Sequence, residues 1–185
     1  MLIFHEKEKA YNAIKYFYEN TMTCEKKKLF KLLFLLDFEH FEQTGRTVTG
    51  YHYHAWMRGP VPMELYRDIK NHSTDLTNEF NFEDGPSDYD SLCLVSKTPF
   101  DPEVFSRREL SLLADIADRF RDSTGNEMED FTHREGSPWQ RVYEVEARQN
   151  QQIPFEYQLD GLDEGKKEVL LDISRDRASI IAHYQ

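Results

Sequence analysis

Apolar residues recur at helical spacing near the start of the chain and then fill almost every position of a second segment. In the first segment they share one face, with Lys7, Glu8, Lys15 and Glu19 on the other: Ala10, Ala13, Ile14, Phe17 and Tyr18. This pattern predicts an amphipathic helix. The second segment, residues 25–43, is apolar on nearly all sides, which is typical of a buried helix. We expect it to form the axis of the core, with Thr23 as its N-cap, Glu25 and a solvated Lys26-Lys27-Lys28 at its start, and Gly45 as its stop.

Period-2 alternation in residues 51–57 predicts a β-strand. Gly59-Pro60-Val61-Pro62 is expected to end this strand as a strand-to-helix turn, with Pro62 at the first position of a helix that ends near Asn71. Two short strands are predicted at residues 79–82 and 92–95, joined by a turn at residues 84–88. Together the strands predict a small antiparallel sheet of about three strands.

The second half of the chain contains well-marked helix starts. Ser106 and Glu109 form a predicted capping box for a helix that Gly125 ends, residues 126–133 a short helix, and Ser137 with Pro138 another start. Residues 148–152 are predicted as a loop, and residues 153–159 as extended or a strand edge. Asp163 is expected to cap a last helix whose apolar residues share one face: Val169, Leu170, Ile173, Ile180 and Ile181. The predicted class is α+β, a mostly helical single domain of residues 1–185 around a central apolar helix.

Charge and composition narrow the classes of function. The 185 residues include 23 Lys and Arg against 34 Asp and Glu, a net charge of −11, which disfavours general nucleic-acid binding. The longest strongly apolar run, residues 29–36, is too short for a membrane helix, so no membrane partner is expected. Two cysteines are too few for a disulfide framework, and with no signal peptide they favour a reducing, cytoplasmic location.

Candidate catalytic groups are sparse. His52 and His54 lie on the same face of the predicted strand, which leaves open a metal-dependent enzyme of unknown type that uses this face. Recognised zinc-ligand spacing is absent beside them, and the alternative is a pair of polar surface histidines. Cys24, near a helix N-terminus, could have a lowered pKa, but no partner residue supports a nucleophile there. No metal and no cofactor is therefore predicted.

Two segments have a more specific pattern. After Lys31-Leu32-Leu33-Phe34-Leu35-Leu36-Asp37 comes Gly45-Arg46-Thr47-Val48-Thr49-Gly50, then Ala55-Trp56, Gly59-Pro60-Val61-Pro62 and a helix with Glu64 and Tyr66. Further on comes Thr132-His133-Arg134-Glu135-Gly136-Ser137-Pro138-Trp139. In this combination and spacing the chain resembles the Panacea domain over about residues 8–147. Residues 148–185 carry no matching signature and are expected to be a variable C-terminal helical extension.

The resemblance implies a mostly helical α+β fold and a role as an antitoxin of a bacterial or phage toxin–antitoxin pair, not an enzyme. The partner it implies is a cognate protein toxin, which we expect to be basic and encoded next door; a general protein-interaction adaptor is the alternative. The residues carried over as motif or partner-binding candidates are Trp56, Gly59, Pro60, Val61, Pro62, Glu64, His133, Glu135 and Trp139. For Glu64, His133 and Glu135, internal hydrogen bonding between the turn and the cap region remains an equal alternative to partner contact.

Overall fold

A computed structural model describes residues 5–22, 24–84 and 92–184. The helices are α1 (Glu6–Asn20), α2 (Lys26–Thr44), α3 (Met63–Asn71), α4 (Thr74–Glu79), α5 (Arg107–Arg119), α6 (Gly125–His133), α7 (Pro138–Gln140) and α8 (Glu164–Tyr184). The strands are β1 (Tyr53–Trp56), β2 (Gly59–Pro62), β3 (Phe80–Asp84) and β4 (Leu92–Ser96). The predicted mostly helical α+β class is confirmed. Among the described helices, none combines the length and apolar character needed to cross a membrane.

Helix α2 is the axis of the core, as predicted. Every residue in positions 28–38 is buried, and α1, α5, α6 and α8 all pack against this helix. Its apolar residues can be buried on all sides because neighbours surround it. Gly45 ends the helix in the left-handed conformation, with φ of +67°. Glu25 lies at the N-cap position rather than inside the first turn, and the predicted cap Thr23 is outside the described residues.

Two lysines that were expected on solvated faces are buried. Lys28 is 0% exposed, and its Nζ donates to the Met22 carbonyl at 2.7 Å and the Arg121 carbonyl at 2.9 Å. Lys15 is buried against Glu79, with 2.9 Å between Nζ and Oε2. The prediction was wrong because a lysine can bury its long aliphatic stem wherever its ammonium finds acceptors.

The strands form two separate antiparallel hairpins instead of one sheet. In the first, Tyr53 pairs with Pro62 and Trp56 with Gly59 across the two-residue turn Met57-Arg58. Gly59-Pro60-Val61-Pro62 is therefore the strand β2, not a strand-to-helix turn, and Pro62 is the N-cap of α3 rather than its first residue. Prolines are compatible with β2 because it is an edge strand. The second hairpin joins β3 to β4, and positions 85–88 of the predicted turn lie outside the described residues.

The free edge of β1 is covered by the segment after residue 148. The Asn150 amide donates to the Ala55 carbonyl at 2.8 Å, and the Ile153 amide donates to the Tyr53 carbonyl at 2.7 Å. Phe155–Leu159 then forms a 3₁₀ turn, so only the start of the ambiguous 153–159 segment is extended. The segment predicted as a plain loop thus completes the backbone hydrogen bonding of β1.

Helix α8 packs through fewer apolar residues than predicted. Leu170 is buried with Phe41 and Leu159, whereas Val169 is 58% and Ile180 is 41% exposed. Asp163 accepts from the Lys166 amide at 2.9 Å, as expected of the cap. One apolar face was expected along the whole helix, but only its first half meets α2.

Capping boxes define where α5 and α6 begin. Ser106 and Glu109 form the predicted box. Helix α5 ends at Arg119, not at Gly125, and Gly125 is the first residue of α6. A second box, Thr124 with Glu127, starts α6 there. The glycine was misassigned because Thr124 and Glu127 give a helix start at the position where a stop was expected.

Candidate partner-binding site

The segments that resemble the Panacea domain meet around the first hairpin, and Asp37 joins two of them. Its Oδ1 accepts from the amides of Val48 at 2.7 Å and Thr49 at 2.8 Å. Its Oδ2 accepts from the Tyr53 hydroxyl at 2.6 Å and from the Thr49 hydroxyl. Burial raises the pKa of Asp37 to about 6 despite these hydrogen bonds. Asp37 therefore ties α2 to the turn that leads into β1.

Lys31 and Gly59 form the second junction. A Cβ added to Gly59 would be 2.7 Å from Lys31 Cε and 2.9 Å from its Nζ, and 3.2 Å from Thr132 Oγ1. Gly59 also has a φ of +102°. The strand can approach the lysine and α6 this closely because glycine has no side chain.

Trp139 forms the third junction. Its Nε1 donates to the Trp56 carbonyl at 2.9 Å. His133 stacks on the Trp139 ring at 3.5 Å between centroids, and Tyr143 also stacks on it, at 4.6 Å. The His133 Nε2 is buried without a hydrogen-bond partner in the described residues, and burial lowers the pKa of this imidazole. The 132–139 motif thus supports the hairpin from behind.

An open cavity of about 680 Å³ lies where these elements converge, and we call it the hairpin groove. Its walls come from the start of α2, the β1–β2 turn, α3 and residues 122–126 at the start of α6, including Met22, Phe30, Lys31, Trp56, Met57, Arg58, Val61 and Tyr66. The Trp56 and Tyr66 rings meet edge-on at 4.9 Å. Met22 and Met57 are 63% and 67% exposed at its rim. This size and mixed lining are typical of a binding site.

The cations of the groove differ in how they are neutralised. Lys27 pairs with Glu129 and donates to Asn126 Oδ1 at 2.7 Å. Lys31 is 2% exposed, and burial lowers its pKa to about 7. Neither Lys31 nor the exposed Arg58 has a side-chain hydrogen bond or an ion pair to the described part of the chain. The groove therefore contains two cations without an ion pair to the described residues, beside the acidic side chains of Glu25 and Asp122.

The two candidate histidines have separate partners. His52 Nδ1 is 2.6 Å from Glu64 Oε1, and this hydrogen bond raises the pKa of His52. The His52 amide also donates to Glu64 at 3.0 Å, while His54 Nδ1 is 2.9 Å from the Asn150 carbonyl. No group of three or more His, Cys, Asp or Glu suited to a metal occurs among the described residues. The geometry thus supplies no ligand set for the metal-dependent alternative.

Cys24 does not have the lowered pKa that a helix N-terminus could give. The thiol is buried, and burial raises its pKa to about 12. This expectation was wrong because the loss of hydration of the thiolate outweighs the effect of the helix end. Cys24 is a packing residue of the core.

The structure places the predicted site residues in several different surroundings. Trp56 and Val61 line the groove, and Gly59 covers the Lys31 stem. His133 and Trp139 lie behind the hairpin, Pro60 and Pro62 are buried in β2, and Glu64 bonds to His52. Glu135 is exposed and makes no side-chain bond to another described residue. Sequence reasoning missed the role of Lys31, although a lone lysine in the apolar 29–36 run was a signal for it.

Comparison with known proteins gives one match. Residues 29–140, more than half of the chain, match the family described as antitoxin SocA-like, Panacea domain. Curated proteins and solved structures gave no match. The matched region includes the Lys31 segment, the hairpin and the 132–139 motif, and the chain belongs to the antitoxin SocA-like, Panacea domain family.

Proposed function

We propose that this protein is an antitoxin that neutralises a cognate protein toxin by direct binding, with the hairpin groove as part of its contact surface. Membership of the Panacea family supports an antitoxin-type role and a protein toxin as partner. The observation that carries the proposal is that the motif segments converge on one open, largely apolar groove. We further propose that residues 1–185 form one cytoplasmic domain without enzymatic activity.

The charge of the molecule supports a basic partner. A net charge of −11 attracts a positively charged protein over distances longer than a direct contact. Such steering raises the association rate, which matters for a protein that has to reach its toxin before the toxin reaches its target. We expect the toxin to be basic and to be encoded in the neighbouring gene.

Co-expression tests the proposal. The neighbouring gene product is expressed alone, with this protein, and with a Met57→Asp, Arg58→Asp double variant that alters only exposed residues of the hairpin turn. We expect growth arrest by the product alone, rescue by the wild-type protein, and weaker rescue by the variant. A product that is harmless alone, or equally toxic in the presence of the wild-type protein, would contradict the proposed function.

A further inference from the structure

The hairpin groove is lined by a largely buried lysine, Lys31, that has no ion pair to the described residues. Lys31 lies against Gly59 and Thr132, and Glu129, the anion with the largest effect on its pKa, is paired with Lys27. An ammonium that loses most of its water without gaining a partner is costly to the fold. Lys28, three positions earlier on the same helix, shows the usual solution, because its ammonium binds two carbonyls. The contrast marks Lys31 as a group whose partner comes from outside the chain.

The surroundings of Lys31 define what that partner contains. Phe30, Trp56, Val61 and Tyr66 give the groove apolar walls, which favour an apolar side chain. Arg58, at the β1–β2 turn, adds a second cation without a partner in the described chain. A ligand with an anionic oxygen group beside an apolar group would contact both the cations and the apolar walls of the groove. A carboxylate is the anionic group that an unmodified protein segment carries.

The rim favours a protein over a small molecule. The exposed Met22 and Met57 extend the apolar surface to the rim of the groove. A small ligand is buried mainly inside its pocket, whereas a protein partner also covers the surface around it. Exposed methionines adapt to different partner shapes, as they do at other promiscuous binding surfaces.

We propose that the hairpin groove binds a segment of the toxin in which an apolar side chain lies beside a carboxylate, and that Lys31 and Arg58 bind this carboxylate. The inference rests on the proposed antitoxin function, because that function supplies the protein partner. It also gives the acidic molecule a local site of opposite sign: the overall charge attracts a basic toxin, while the groove accepts one carboxylate of it.

Lys31→Met is the decisive variant, because methionine keeps an unbranched apolar stem and removes the charge. The variant is expected to melt a few degrees higher than the wild type and to bind the purified toxin at least about ten-fold more weakly in calorimetry. Arg58→Met changes an exposed residue and is expected to weaken binding without a change in melting temperature. Lys166→Met, on exposed α8, is the matched control and is expected to bind like the wild type.

A second arm tests the chemistry of the groove without the toxin. The probe is 3-phenylpropionate, with 3-phenylpropanamide as the uncharged control, and the readout is the NMR shift of the Trp56 indole. We expect the carboxylate to shift this signal in the wild-type protein and not in Lys31→Met, and the amide to have little effect. Equal shifts by both probes would overturn the carboxylate assignment.

The outcomes separate the inference from the proposed function. Wild-type protein that binds the toxin while Lys31→Met binds equally well overturns the inference and leaves the antitoxin function intact. A lower melting temperature for Lys31→Met also overturns it, because it assigns Lys31 a structural role. Wild-type protein that does not bind the toxin at all contradicts the proposed function, whatever the probes show.

Discussion

At the scale of single residues, the contact between Gly59 and Lys31 decides how closely the hairpin approaches the central helix. The positive φ of Gly59 and the short distance to Lys31 both oppose a side chain at this position. Gly136 has a similar positive φ of +77°, but a Cβ added there would meet nothing within 4 Å. A side chain at Gly136 therefore meets backbone strain alone, whereas a side chain at Gly59 meets both backbone strain and steric overlap.

Gly59→Ala is expected to destabilise the protein by about 2 kcal/mol, as the sum of backbone strain and the shift forced on the buried end of the Lys31 side chain. Gly136→Ala is expected to cost only the backbone part, about 1 kcal/mol. Urea unfolding of both variants measures the difference. Equal losses would mean that the Lys31 contact relaxes at no cost.

The two buried lysines of α2 are expected to respond in opposite ways to replacement by methionine. Lys28→Met leaves the Met22 carbonyl without this donor and the Arg121 carbonyl with only the Met22 amide, and should cost about 1–3 kcal/mol. Lys31→Met removes an unpaired buried charge and should stabilise the fold by about 1 kcal/mol or more.

The stability gained by Lys31→Met should also depend on pH. The pKa of Lys31 is about 7 in the folded chain against an ordinary 10.5, so the unfolded chain binds more protons between these values. Wild-type stability from this group therefore rises with pH across that window, and the advantage of Lys31→Met shrinks. Urea unfolding of both proteins at about pH 7 and about pH 9 measures this difference in stability. A stability advantage of Lys31→Met that is constant or grows with pH would contradict the lowered pKa of Lys31.

At the scale of elements, the first hairpin depends on α6 and α7 for its position. Trp139 joins the end of β1 through the Trp56 carbonyl and stacks with His133 and Tyr143. The segment 150–153 holds the other edge of β1. An isolated two-stranded hairpin is marginally stable, so these flanking contacts keep the groove in shape.

Trp139→Phe removes the donor to the Trp56 carbonyl and is expected to destabilise the protein by about 1–2 kcal/mol. It should also speed amide hydrogen exchange in β1 and β2. Trp56→Phe is the matched control, because its backbone carbonyl still accepts from Trp139, while the ring loses part of its edge-on contact with Tyr66. Faster exchange in both variants alike would show that ring packing, not this hydrogen bond, holds the hairpin.

The elements also show what the sequence could predict. The buried axis α2, the Ser106 capping box and the α6 segment follow from local spacing and were correct. The pairing of β1 with β2 was missed because two prolines and a glycine argue against a strand, and only tertiary contacts place them at an edge. Lys15, Lys28 and Lys31 were missed because their burial depends in part on acceptors and walls supplied by other, distant elements of the fold.

At the scale of the whole molecule, the net charge of −11 and the cationic groove act over different distances. Surface charges attract a basic partner through solvent and are screened by salt, with a Debye length of about 10 Å at 0.1 M and about 3 Å at 1 M. A buried contact in the groove is screened less. Association and dissociation should therefore respond differently to salt.

The association rate with the toxin is expected to fall at least about three-fold between 0.1 M and 1 M salt, with a smaller change in the dissociation rate. Surface plasmon resonance at the two salt concentrations measures both rates. An association rate that does not change with salt would show that the acidic surface has no part in recruiting the toxin.

Direct binding of the toxin can be tested by hydrogen exchange of the purified pair. We expect a stable complex in which the β1–β2 turn, the start of α2 and residues 122–126 exchange more slowly than in the free protein. Rescue of growth in cells without a complex between the purified proteins, or a complex that leaves these three segments unprotected, would contradict it.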